Sequence, residues 1–74
     1  MVIDLIVKKT DDGYTAEVPS LKGCECWAHS EQNVISKILE LVRFYIDLGN
    51  ENSIIIDKAR KVSNTTIYKL VFDK

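Results

Sequence analysis

The sequence predicts an α+β fold, an antiparallel sheet in β-β-β-α-β-β order with one helix packed on one face. Three observations carry this. Short stretches on either side of the middle alternate apolar and polar residues with period two, as half-buried strands do. One long run, residues 31–48, has the 3.6-residue period of an amphipathic helix. Turn residues at Asp12-Gly13, Pro19 to Gly23 and Ser63-Asn64 separate the strands at hairpin spacing. The length of 74 residues leaves room for a single domain, 1–74, with one small core.

The first strand covers Val2 to Lys8, with Ile3, Leu5 and Val7 on one face and Val2, Asp4, Ile6 and Lys8 on the other. Thr10 to Gly13 forms a turn in which the Asp-Gly pair supplies residues that tolerate positive φ. Tyr14, Ala16 and Val18 then share the inner face of a second strand, expected to be central in the sheet and to stop where Pro19 cannot donate a ladder hydrogen bond. After Gly23 a third strand carries Cys24, Cys26 and Ala28 inward and Glu25, Trp27 and His29 outward.

Ser30 suits a helix N-cap, and Glu31 suits the positive end of the helix dipole. The apolar positions from Val34 to Leu48 cover a sector much wider than the ~100° stripe that one sheet face hides. Leu39 and Ile46 on one flank, with Phe44 and Leu48 on the other, therefore call for further cover. Gly49-Asn50 is the expected helix stop. Ile54 to Ile56 begin a fourth strand running toward Val62, and Thr65 to Phe72 make the fifth, with Tyr68, Leu70 and Phe72 on one face and Ile67 and Val71 on the other. The order of these two strands in the sheet stays open.

Ten basic against eleven acidic residues give a net charge of -1, which excludes a whole-surface attraction to nucleic acid or acidic membranes. No apolar run approaches the ~20 residues a membrane span needs, and the start lacks the pattern of a secretory signal. A cytoplasmic protein with reduced thiols is the expectation, since Cys24 and Cys26 are too close on one strand for an unstrained disulfide. A core of this size rarely contributes more than ~3–5 kcal/mol, so assembly into a dimer or tetramer is expected to supply the remainder.

The stretch Gly13-Tyr14-Thr15-Ala16-Glu17-Val18-Pro19-Ser20-Leu21-Lys22-Gly23-Cys24 resembles the signature of the HicB-like antitoxin family. The resemblance implies a partial ribonuclease-H-like arrangement without its catalytic carboxylates. It also implies a function, the neutralisation of a small messenger-RNA-cleaving toxin by covering its active site. Ala28-His29-Ser30 and Glu31-Gln32-Asn33 depart from the family's usual helix start. Residues 50–74 read as strands, with neither a helix-turn-helix nor a ribbon-helix-helix pattern, so the resemblance is to the stand-alone HicB-like relatives and implies no DNA-binding segment.

Other chemistry has less to build on. Cys24 and Cys26 face away from His29 on a regular strand, so they do not converge on a metal, and no metal or cofactor is expected. Asp4, Glu17 and Glu25 share a face, but acids on the solvent side of a sheet are ordinary and no general base accompanies them, so no catalytic residue is assigned and the chain reads as a non-enzyme. Lys58, Arg60, Lys61 and Lys69 form a basic cluster that would serve an alternative role in nucleic-acid binding, though such charges more often protect an exposed strand edge. The apolar surplus is the strongest signal. Val2, Ile6, Trp27, Ile67 and Val71 fall on the sheet face away from the tyrosine and cysteine layer. Together with Leu39, Phe44, Ile46 and Leu48 on the helix, they are the expected partner-binding residues.

Overall fold

The computed structural model describes residues 1–47 and 53–73. The elements follow the expected order: β1 (Val2–Lys9), β2 (Tyr14–Glu17), β3 (Glu25–Ala28), α1 (Glu31–Tyr45), β4 (Ile55–Val62) and β5 (Thr65–Val71). All strand pairs are antiparallel and the sheet order is β3-β2-β1-β5-β4. The central strand is thus β1, not β2. The chain returns after α1 and lays β5 along β1 from Val2 to Lys8, which places the last hairpin beside the first. That hairpin widens the sheet and does not curl over its open face.

Alternation decides what each face holds. Leu5, Val7, Ala16, Ala28 and Leu70 point to the helix side and are buried with Val34, Ile38 and Val42, the i, i+4, i+8 stripe of α1. Tyr68 from β5 and Phe72 just past its end complete the layer. Tyr68 keeps its hydroxyl satisfied by donating to the Glu31 carboxylate at the start of α1. The helix begins as its capping residue dictates, with the Asn33 amide donating to Ser30 Oγ at 3.1 Å. It ends earlier than Gly49. Ile46 is the C-cap, and Asp47 takes a left-handed conformation at φ 56°, a role aspartate fills with less strain than most residues. Leu48 and the expected Gly49-Asn50 stop lie outside the described residues.

Glycine at position 13 proves to be a matter of space. The turn closes through the Thr10 amide donating to the Gly13 carbonyl at 2.8 Å, and the backbone there is not left-handed. A Cβ on Gly13 would lie 2.5 Å from the Ala28 carbonyl and 2.7 Å from the Trp27 ring. The expected reason, tolerance of positive φ, applies instead to Gly23 at φ 82°.

Candidate functional site

The face of the sheet away from α1 can be read as rows, because directly opposed residues on neighbouring strands share a side. One row runs Glu25, Glu17, Ile6, Ile67, Arg60 from β3 to β4. The next runs Trp27, Thr15, Lys8, Thr65, Val62. Two further rows hold Asp4, Lys69, Asp57 and Val2, Val71, Ile55. All five residues expected on this face, Val2, Ile6, Trp27, Ile67 and Val71, are therefore there.

At the β3 end these rows frame a groove lined by Ile6, Lys8, Thr15, Glu17, Glu25 and Trp27. Its wall is the indole of Trp27, 38 % exposed, lying over Gly13 and braced edge-on by His29 at a ring separation of 4.6 Å. The Trp27 carbonyl accepts from Lys37 Nζ of α1 at 3.4 Å, which ties this strand to the helix. Across β2 and β3, Glu17 and Glu25 stand directly opposite one another. Like charges in that relation destabilise a sheet by a few tenths to ~1 kcal/mol. Lys8 stands only diagonally from Glu17, so the outer carboxylate, Glu25, faces solvent beside the indole. Alternation alone put these two acids on one face, but their opposition depends on the pairing register, which no local pattern reveals.

The helix flanks divide. Phe44 is 83 % exposed, and Tyr45 beside it meets its ring edge-on at 6.3 Å. Leu39 is half-buried against the core, and Ile46 is only 9 % exposed, so the expectation of an uncovered flank fails at Ile46, which the tight helix end folds inward.

The four basic residues of the alternative reading do not form one patch. Arg60 and Lys69 lie on the open face and Lys58 and Lys61 on the other, since a bulge at Ala59 shifts the register between Lys58 and Arg60. Lys69 is also engaged in an ion pair with Asp4 and sits opposite Asp57. The same pair removes Asp4 from any acid set with Glu17 and Glu25, which occupy another row.

Cys24 and Cys26 face the helix, where Cys26 Sγ donates to the Val34 carbonyl at 3.7 Å. Burial pushes both thiols above the ordinary value of 9.0, Cys26 adding to the rise at Cys24 and Lys37 opposing it at Cys26. Burial likewise raises Tyr68 above 10.0, helped by the Glu31 charge. In each case the unfolded chain loses its proton first, so the folded state holds more protons through this range. Stability is therefore expected to be full below pH 9 and to decline as pH climbs through 10, as urea unfolding at pH 8 and pH 10 would measure.

Among the described residues no group of three or more His, Cys, Asp or Glu could hold a metal ion, and no helix is long and apolar enough to cross a membrane. No family model matches the chain, and no solved structure matches it. It is similar to a UPF0150 protein of Helicobacter pylori (strain J99 / ATCC 700824), 32% identical over 63 residues that cover 84% of this chain and 88% of the relative.

Proposed function

The chain belongs to the UPF0150 family, and from that premise we propose that it is a non-catalytic protein-binding module that acts by covering a small basic protein. The observation that carries this is the opposition of Glu17 and Glu25 beside the Trp27 indole. Two facing carboxylates leave a cost in the free sheet that an incoming lysine or arginine would relieve. An adjacent half-exposed indole supplies the aromatic anchor that contact surfaces concentrate at their centre, and its face attracts the same cation. The HicB-like signature over residues 13–24 suggests the partner's class, an RNA-cleaving toxin whose active site this face would occlude one-to-one. Cytoplasmic residence and assembly as a homo-oligomer complete the reading.

A charge reversal separates binding from folding. Glu25→Lys would turn the like-charge pair into an ion pair with Glu17 and raise the chain's own stability by a few tenths to ~1 kcal/mol. The same change would remove one carboxylate from the partner site. The experiment co-purifies the tagged chain with the product of a neighbouring open reading frame that encodes a small basic protein, and then repeats it with Glu25→Lys. The expected result is a stoichiometric complex, lost in a variant that unfolds at higher urea than the parent. A neighbourhood without such a frame, or a complex indifferent to Glu25→Lys, overturns the reading. Binding of RNA that weakens steeply with salt would favour the nucleic-acid alternative.

A further inference from the structure

The sheet has two edge strands among the described residues, β3 and β4, and the sequence of the longer one, β4, is self-complementary on the open face in one register. We propose that a second copy of this chain docks there, β4 against β4 about a two-fold axis perpendicular to the sheet, making one ten-stranded sheet. This deepens the homo-oligomer reading and rests on it, while the groove at Trp27 plays no part.

The bulge selects the register. In an antiparallel pair the two opposed residues must lie on the same face, so a regular strand can meet its own copy only between positions an even number apart. Ala59 is the extra residue between Lys58 and Arg60, and it reverses that parity for any ladder spanning the whole strand. Ile55, Asp57, Arg60 and Val62 all lie on the open face. The in-phase full-length ladder pairs Ile55 with Val62 of the second copy and Asp57 with Arg60 of the second copy, and symmetry repeats both pairs. Ladders confined to one side of the bulge reach only Ile55–Lys58 or Arg60–Val62.

On the open face, charge and apolarity agree with that register. Arg60, then Asp57, Lys69 and Asp4 of the second copy, form a row of alternating sign across the junction. Val62, 60 % exposed, meets Ile55 of the second copy, 58 % exposed, and the strip continues into Val71 and Val2 of that copy. An edge that only guards against aggregation is served by charges of one sign, which repel in every register. Here an acid and a base stand at the two positions that face each other. The two-fold axis leaves both helices on one side and both open faces on the other. The Trp27 grooves then lie nine strand spacings apart, roughly 43 Å before twist, so two partners can bind without collision.

Sedimentation at micromolar concentration tests this. The parent chain is expected at twice its 8.4 kDa mass. Arg60→Asp, which would set Asp57 against an aspartate twice over, is expected to weaken the dimer roughly tenfold or more, and the exchanged double variant Asp57→Arg with Arg60→Asp to restore it. Hydrogen exchange gives a second readout free of any substitution, since β4 amides should gain protection as protein concentration rises. A monomeric parent overturns both the edge and the homo-oligomer. A dimer whose mass ignores Arg60→Asp, or whose β4 exchange is independent of concentration, overturns the edge alone.

Discussion

Gly13→Val is expected to cost the chain most of its stability at 25 °C. Even a methyl group at this position would meet the Ala28 carbonyl at 2.5 Å and two atoms of the Trp27 ring inside 3.0 Å, and the valine branches add to the conflict. Overpacking of this kind costs about 1–3 kcal/mol and more where backbone must move. A domain of this size holds only ~3–5 kcal/mol in its core, so most of the stability is consumed. Circular dichroism with urea titration measures it. The clash has two parts, and they separate. Trp27→Ala in the same chain removes the ring but not the carbonyl, so it should return part of the lost stability. Full recovery would mean that the indole alone requires glycine here, and no recovery that the carbonyl alone does.

Trp27→Ala by itself is expected to weaken partner binding by about 30-fold, the equivalent of about 2 kcal/mol for a central aromatic anchor. The indole lines the groove and covers the turn, so its loss removes the wall against which a partner side chain would rest. Phe44→Ala on α1 serves as the comparison, since this exposed ring was also expected to contact a partner but lies outside the groove on which the proposed contact rests. That ring is more exposed than the indole, yet it stands apart from the groove, and its removal should leave affinity within about twofold. Equal losses from both variants would mean that general apolar exposure drives the contact.

Much of the fold was legible because period-two and 3.6-residue patterns are local. Val2 to Lys9, Tyr14 to Glu17 and the capped start at Ser30 need only neighbouring residues to declare themselves. The end of α1 did not, because Asp47 takes the left-handed conformation that the sequence reserves most visibly for Gly49. The central place of β1 was hidden as well, since its pairing with β5 joins Val2 to Val71 across nearly the whole chain. The candidate site shows the same division. Alternation placed Trp27, Glu17 and Glu25 on one face, whereas the opposition of the two carboxylates and the split of Lys58 and Lys61 from Arg60 follow from register and from one bulge. Ile46 looked like surface because its helical angle lies on the flank, and the turn at the helix end buries it.

Trp27 is the chain's single tryptophan, so its emission reports the groove without labelling. The direct measurement is a titration of the chain with its small basic partner, using a tryptophan-free form of that partner, followed by emission and iodide quenching at moderate salt. Closure of the face predicts a blue shift and a loss of quenching that saturate at one partner per chain, both weakened by Glu25→Lys. A complex that forms at full affinity while the indole stays as wet and as quenchable as in the free chain would contradict it.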